Sequence, residues 1–364
     1  RASVAQVATD LGIYAIDQTY VPGQTWNGST TVVQPSTLTN PNIKPQITTT
    51  QEYGADLRFF RNRLNLDMTY FRSLDENTII NLPVSAAAGY TTRLENANHY
   101  LRSGGEISAS GNIIHHKDFS WFALVNWSTY KKVIKELDPS LHGNYNGLTV
   151  GQSVNKILAQ GNEHTPDGSL AIASNGLPIA SPTLQAFGDS TPLWTAGITN
   201  RFTYKQFTLQ IDVDGRYGGT IFNLTRSKTI NAGTNPVTDN AYQRDMYNQG
   251  KASIVVPGEL VTTNGQNTYV KNTTMVNWQQ YWGVMGGNPY MWKDASFVKL
   301  REVSLTYTYT PKTPSAFFKA ANISLVGRNL LLFSHLDGAD PDPGVDNLQT
   351  PATRTVGFNL SVKF

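Results

Sequence analysis

The sequence predicts an all-β protein whose antiparallel strands form a transmembrane β-barrel with long extracellular loops and short periplasmic turns. Three observations predict it: apolar and polar residues alternate, the alternating segments are about ten residues long, and short connections alternate with long ones. The alternation is clearest at the end of the chain. There the apolar residues are Val356, Phe358, Leu360, Val362 and Phe364, and the residues between them are Thr355, Gly357, Asn359, Ser361 and Lys363. Because a strand alternates its side chains between two faces, this strand has one apolar and one polar face.

The same pattern predicts about ten strands along the chain. They cover about residues 1–8, 49–60, 64–70, 100–113, 119–133, 194–202, 207–217, 303–309, 322–333 and 353–364. Strands of this length favour a sheet that crosses a membrane, because strands in soluble proteins are typically about five or six residues long. Aromatic residues gather near the strand ends, where outer-membrane barrels carry interfacial girdles.

The connections between these strands alternate in length. Short turns follow the second, fourth, sixth and eighth strands, at about residues 61–63, 115–118 and 204–205 and around Pro311 and Pro314. Long loops follow the other strands, and the longest covers about residues 222–294. In an antiparallel sheet this alternation places every long loop at one end, as in outer-membrane barrels. The C-terminus then lies on the short-turn, periplasmic side.

Composition excludes several other classes of protein. Over 364 residues the formal net charge is only +3, so nothing indicates nucleic-acid binding. The sequence contains no cysteine, which excludes disulfide frameworks and cysteine-ligated metal sites. The mean hydropathy is −0.32, and no apolar run approaches the roughly 20 residues of a transmembrane helix. The chain also begins at Arg1 inside an alternating segment, without an initiator Met or a signal peptide. We therefore expect a piece of a longer protein.

Several segments carry a resemblance to a known family. They are YGADLRFFRNRLNLDMTYF at residues 53–71, VSAAAGYTTRLENA at 84–97, KDFSW at 117–121, FGDSTPLW at 187–194, GRYGG at 215–219, DASFVKLREVSLTY at 294–307, LVGRNLLLF at 325–333 and GADP at 338–341. In this order, and spread over nearly the whole chain, they resemble the C-terminal half of the SusC/RagA family of TonB-linked outer-membrane proteins.

The resemblance implies a barrel of about 22 strands that is plugged by an N-terminal domain. It implies import of bulky nutrients, either glycan fragments or oligopeptides, powered through TonB and covered by a SusD-like surface lipoprotein. The location would be the outer membrane of a Gram-negative, Bacteroidetes-like bacterium. Residues 1–364 would be the C-terminal part of the barrel, without the plug, the TonB contact and the first strands. Since about ten strands cannot enclose such a lumen, the remaining barrel and the plug are expected partners.

Candidate binding residues lie in the longest loop and on the polar strand faces. Trp278, Tyr281, Trp282, Tyr290 and Trp292 concentrate aromatic rings that could stack on cargo or contact the lipoprotein. The alternative is that these rings anchor the loop or belong to the outer aromatic girdle. In the seventh strand, Asp212, Asp214 and Arg216 are predicted to face the lumen, where they could bind the plug or cargo. The alternative is that they satisfy one another and the plug by hydrogen bonds and ion pairs.

Metal binding and catalysis have weaker support. Asp337, Asp340 and Asp342 form an acidic cluster with Asp346 that could hold calcium, although the spacing is not that of an EF-hand. The alternative is a solvated loop stiffened by Pro341 and Pro343. No nucleophile-elbow motif and no phosphate-binding glycine motif appear, so we predict that the protein is not an enzyme.

Two other functions fit the strand pattern. A passive diffusion porin would share the barrel but would need neither a plug nor energy coupling. A soluble β-rich glycan-binding or adhesin module would have to bury its outward residues under a second sheet. Those residues are Trp121, Val125, Trp127, Ile211 and Val213.

Overall fold

A computed structural model describes residues 1–239, 241–251, 253–263, 266–311 and 319–363. Ten strands form one antiparallel sheet in which the spatial order of the strands is their order along the chain. Their bounds are β1 Ala2–Thr9, β2 Gln46–Phe59, β3 Leu64–Glu76, β4 His99–His115, β5 Phe119–Glu136, β6 Pro192–Tyr204, β7 Phe207–Gly218, β8 Phe297–Tyr309, β9 Ala320–Ser334 and β10 Thr355–Lys363. The predicted all-β class and number of strands are therefore confirmed.

The connections between the strands follow the predicted alternation. Short turns join β2 to β3, β4 to β5 and β6 to β7, and residues 310–319 join β8 to β9. In the first turn, Phe60, Arg61 and Asn62 all have positive φ angles, which lets the chain reverse within four residues. Pro314 and the C-terminal Phe364, both named in the sequence analysis, lie outside the described residues.

The long connections contain short secondary structure that the sequence pattern did not predict. Among the described residues, the helices there are α1 Leu224–Asn231, α2 Ala241–Asn248 and α3 Trp278–Gly286. Single 3-10 turns cover Ala86–Ala88, Pro139–Leu141, Pro236–Thr238 and Pro289–Met291. Small sheets are formed by Val21–Trp26 with Ser29–Val33, by Thr37–Leu38 with Thr92–Ala97 and Thr78–Pro83, by Lys156–Asn162 with Ala180–Asp189, by Ala171–Ile172 with Glu259–Thr263 and Asn267–Lys271, by Thr220–Phe222 with Trp292–Asp294, and by Ser253–Val255 with Met275–Asn277.

The chain divides into two compact units, and the first comprises residues 1–109 and 128–155. On its polar face, the carboxylate of Asp75 is buried and accepts a hydrogen bond of 2.6 Å from Arg102. The Lys132 ammonium group lies 3.4 Å from the same carboxylate, and the Thr48 hydroxyl donates to it at 2.9 Å. Two cations thus compensate the cost of burying this carboxylate.

The second unit comprises residues 110–127 and 156–364. Its long connections build two small apolar cores. Ile172, Ile254, Val256 and Val276 form one of them, and Ile221, Ala295 and Leu336 form the other. Helix α1 packs against α3 in the same unit. These contacts give the long loops an interior of their own.

The apolar face of the ten strands is exposed. Strands β8 and β9 pair Leu305 with Leu325, and these side chains are 45% and 57% exposed. Strand β2 pairs Tyr53 with Tyr70 of β3, and both rings are about half exposed. A continuous exposed apolar face is what a sheet in contact with lipid requires.

Among the described residues, no helix has both the length and the apolar character needed to cross a membrane.

We expect arginine to be tolerated on the polar face and rejected on the apolar face at the same depth. Leu305→Arg should lower the free energy of unfolding by about 2–4 kcal/mol, as a cation does in the middle of a lipid-facing surface. The neighbouring Ser304 faces the opposite, polar side of the sheet. Ser304→Arg should therefore lower the free energy of unfolding much less. Urea titration of the intact protein in lipid vesicles, followed by heat-modifiable electrophoretic mobility, compares the two variants. Equal losses would contradict the assignment of the faces.

Candidate functional site

A β-bulge in strand β8 concentrates charge on the polar face of the second unit. In the ladder with β7, Asp212 pairs with Glu302 and Val213 pairs with Leu300, so that Arg301 is the extra residue. A bulge shifts the alternation of side chains by one position. Arg301 and Glu302 therefore both reach the polar side. Strict alternation could not predict this bulge.

Arg301 joins strand β7 to a distant loop. Its Nε and Nη2 donate to the two carboxylate oxygens of Asp214 at 2.5 and 2.7 Å. Its Nη1 and Nη2 also donate to the carboxylate of Asp342. A guanidinium group has five donors in a planar fork and can serve two carboxylates at once. This side chain therefore ties residues 337–346, which we call the Asp loop, to the polar face.

Lys299 makes the second connection to the Asp loop. Its ammonium group is 2.8 Å from Asp340 and 3.1 Å from Asp342, and the residue is only 2% exposed. Pro341, between the two carboxylates, is also fully buried. An ammonium group at this depth needs both carboxylates, because an unpaired buried charge would be strongly destabilising.

Two predicted lumen residues of β7 take part in this network. Asp214 binds Arg301, and Arg216 donates from Nη2 to the carbonyl oxygen of Pro341 at 2.5 Å and from Nε to that of Ala295 at 3.2 Å. The third predicted residue, Asp212, accepts a hydrogen bond of 2.9 Å from Gln210. These residues are thus satisfied by other partners than one another, and Arg216 alone of the three contacts the Asp loop.

The other side of the Asp loop holds helix α1. Asp346 accepts from the backbone N–H of Thr225 at 2.6 Å and from its hydroxyl at 2.9 Å. Asn223 caps the helix by accepting from the N–H of Arg226, and its amide donates to the carbonyl oxygen of Asp337 at 3.0 Å. Arg226 and the Asp337 carboxylate are 2.6 Å apart. Carboxylates at the N-terminus of a helix satisfy its unpaired N–H groups.

These contacts correct the expected state of the acidic cluster. The loop is solvated only in part, because Asp340 and Asp346 are each only 7% exposed whereas the Asp337 side chain is 74% exposed. Asp337, Asp340 and Asp342 bind Arg226, Lys299 and Arg301 of the chain itself. Within the described ranges, no three or more His, Asp or Glu side chains are arranged to hold a metal ion. The weak expectation of calcium here therefore gains no support from the geometry.

The cationic environment also shifts the ionisation of Asp342. Hydrogen bonds from Arg301, with a further contribution from Lys299, hold the pKa of this carboxyl below its usual range. The lowered pKa keeps Asp342 in its ionised, ion-paired form to a lower pH than a free aspartate.

The five predicted aromatic residues separate into three groups. Trp278 and Tyr281 pack on the apolar core of Ile172, Ile254, Val256 and Val276, and the ring of Trp282 lies 4.8 Å from that of Tyr281. Tyr290 contacts Phe187 edge-on at 5.3 Å. Trp292 contacts Phe222 in the same way at 5.3 Å. These packing contacts favour the anchoring alternative, and contact with cargo or with a lipoprotein stays a prediction.

A polar cavity lies between α1 and the Asp loop. Its volume is about 430 Å³, and it is open to solvent. Three threonine side chains, the amide of Asn235 and the Arg226–Asp337 pair contribute polar groups, while Pro236 and Val237 contribute an apolar wall. Hydrogen-bonding groups beside an apolar wall suit a polar, uncharged ligand segment. Sequence reasoning missed this cavity because its lining comes from two loops about a hundred residues apart.

The fold and this site define the class of a strand-built outer-membrane protein with structured loops at one end. Residues 1–277 match the family described as TonB dependent receptor-like, beta-barrel. The chain belongs to this family, and the resemblance drawn from sequence and the predicted outer-membrane location are confirmed.

Relatives with known names agree with this assignment. TonB-dependent receptor P3 of Formosa agariphila is 23% identical over 378 residues, which cover 89% of this chain and 35% of the relative. TonB-dependent receptor P39 of the same organism is 21% identical and is matched over 100% of this chain and 40% of its own length. The chain thus spans two fifths or less of these relatives.

Solved structures share the fold. The RagAB peptide transporter matches with a TM-score of 0.69 at 17% identity, over 100% of this chain and 40% of the matched chain. The RagAB peptide importer in its closed-closed state matches with a TM-score of 0.68 at 18% identity, over the same fractions.

Removing the carboxylate of Asp340 or that of Asp337 should have very different effects on the free energy of opening the Asp loop. Asp340→Ala leaves Lys299 buried beside a single carboxylate and should lower the free energy of loop opening by about 3–5 kcal/mol. Asp337→Ala removes a carboxylate that is 74% exposed and should change it little. Hydrogen exchange of residues 337–346 measures both effects. Similar protection in the two variants would show that the Lys299 pair does not hold the loop.

Docking of the Asp loop should also depend on pH. The pKa of Asp342 is lower in the folded protein than the roughly 3.9 of a free aspartate. Its stabilisation is therefore complete above about pH 5 and is lost as the pH falls through the folded-state value. Hydrogen exchange of the loop across pH 2–6, corrected for intrinsic exchange rates, should show this loss. Asp342→Asn should abolish the acid transition attributable to this group, and an unchanged transition would assign it elsewhere.

Proposed function

We propose that this chain forms the C-terminal part of the barrel of an outer-membrane importer of bulky nutrients. The observation that carries the proposal is the docked Asp loop, which Lys299, Arg301 and Arg216 hold on the polar face beside a polar cavity. A polar face with a structured loop is suited to hold a large, hydrated cargo at the entrance of a lumen. The work of this site is binding and passage, and we propose no enzymatic activity.

The proposed cargo is an oligopeptide, with glycan fragments as the second class. Both classes present hydroxyl or amide groups that threonine and asparagine side chains can bind. The two RagAB structures that share the fold are named as a peptide transporter and a peptide importer, and these names favour a peptide cargo. The cavity combines amide and hydroxyl groups with the apolar wall of Pro236 and Val237, which suits a peptide with alternating polar backbone and apolar side chains.

The proposed partners complete what the chain lacks for import. The remaining barrel strands would pair with the edge strands β1 and β10, whose residues are exposed. A plug inside the barrel would contact the polar face, and TonB would act through the N-terminal part of the protein. A SusD-like lipoprotein would cover the long loops. The aromatic residues of α3 and its surroundings are the proposed contact with this partner or with cargo.

Energy-dependent uptake tests this proposal. Cells that express the intact protein should accumulate a fluorescent oligopeptide in the periplasm, and loss of TonB should abolish the accumulation. A labelled oligosaccharide of similar mass tests the second cargo class in the same cells. Uptake of either cargo that persists without TonB would instead favour the passive porin and would contradict active import.

A tryptophan that fills the cavity should weaken cargo binding, whereas a tryptophan outside the cavity should not. Val237 is 42% exposed and lines the cavity, so Val237→Trp should fill it without disturbing a core. We expect cargo affinity to fall by at least about tenfold, which corresponds to about 1.4 kcal/mol. Val345→Trp is the matched control, because Val345 is 50% exposed and lies outside the cavity lining. Equal cargo binding by both variants, measured by fluorescence titration of the purified protein, would exclude the cavity as a cargo site.

A further inference from the structure

The lipid-facing side of the first unit changes character at one cross-strand pair. Along β2 and β3, successive outward pairs are Leu57 with Leu66, Ala55 with Met68 and Tyr53 with Tyr70. The next outward pair is Gln51 with Arg72. Two residues along a strand span about 7 Å, so the Cα atom of Arg72 lies about 7 Å beyond that of Tyr70. Tyrosine is enriched at the headgroup level of membranes.

A groove of about 270 Å³ opens beyond these tyrosines. Leu74 and Leu101 form its apolar part, Thr49 and Gln51 contribute polar groups, and Arg72 and Lys135 bring two cations from β3 and β5. Glu76 is the only carboxylate among its lining residues, so the groove carries a net positive charge. Thr49 already accepts a hydrogen bond of 3.1 Å from Gln6.

The cations of this groove have no protein partner. In the described part of the chain, neither Arg72 nor Lys135 forms an ion pair or a side-chain hydrogen bond, and both are exposed. On the opposite, polar face of the same strands, Arg102 and Lys132 bind the buried Asp75. Two exposed cations on an outward face are therefore available to an anionic group from outside the protein.

We propose that this groove binds the phosphate headgroup of a lipid in the membrane leaflet at the long-loop end. The apolar series from Tyr53 and Tyr70 to Leu57 and Leu66 would contact the acyl chains, and Arg72 and Lys135 would bind phosphate oxygens. The groove continues into the exposed apolar face of the strands. This favours a lipid over a free anion, because a lipid could contact the groove with its phosphate and the apolar face with its acyl chains. The inference uses the confirmed outer-membrane location but is independent of the cargo and of TonB coupling.

Lipid retention by the intact protein tests the proposal. The protein is reconstituted in phosphatidylcholine nanodiscs that contain diphosphoryl lipid A, and the lipid A that stays bound is quantified by native mass spectrometry. The double variant Arg72→Gln/Lys135→Gln should bind lipid A about tenfold more weakly or worse, because each interfacial cation contributes to attraction of anionic lipid. Arg72→Lys keeps the charge and should retain most of the binding.

The matched control removes two cations elsewhere. Arg63→Gln/Lys205→Gln changes the charge equally, but both residues are in short turns at the other end of the strands. This control should retain lipid A as the unchanged protein does, and heat-modifiable mobility should confirm that every variant folds. Equal loss in both double variants, or no loss in either, would overturn the proposal. Displacement of lipid A by millimolar inorganic phosphate would assign the groove to a free anion and would also overturn it.

Discussion

The ion pairs of Arg301 and Lys299 with the Asp loop are the interactions on which the long-loop end of the second unit depends. Arg301 binds Asp214 on the neighbouring strand and Asp342 in the loop, and Lys299 is buried between Asp340 and Asp342. Lys299 needs the loop carboxylates because it is buried, whereas Arg301 is 32% exposed and also has Asp214 as a partner. The same loop carries Asp346, which binds the N-terminus of α1 beside the cavity.

The sheet itself follows from one constraint, the division of each strand between lipid and a polar interior. The two units meet this constraint in the same way. Each leaves its apolar face exposed and buries carboxylates on its polar face against cations, Asp75 against Arg102 and Lys132 in the first unit and Asp340 against Lys299 in the second. Buried polar groups tolerate few alternative arrangements, because each must find its partner. The polar face therefore makes the fold specific, because each buried polar group needs its own partner. The lipid-facing surface tolerates exchange of one apolar residue for another.

The two proposals concern different units of the protein. The cavity beside α1 concerns cargo and lies at the Asp loop of the second unit, whereas the groove at Arg72 and Lys135 concerns the membrane and belongs to the first unit. The distinction rests on how cations are paired. Lys299 and Arg301 are neutralised by the protein and hold its structure, whereas Arg72 and Lys135 are available to a ligand from outside.

The sequence by itself determined the ten strands, the alternation of short and long connections and the family. These properties are local or periodic, and a two-residue repeat is readable without knowing what it packs against. It also indicated Asp214 and Arg216 as polar-face residues. Only the tertiary structure decided that the Asp loop docks, that Arg301 leaves the alternation at a bulge, and that Trp278 and Tyr281 of α3 pack on a core of the loops. Those outcomes depend on partners far away in the chain, such as Asp214 for Arg301 and Ile172 for Trp278, and no periodic pattern encodes such pairings.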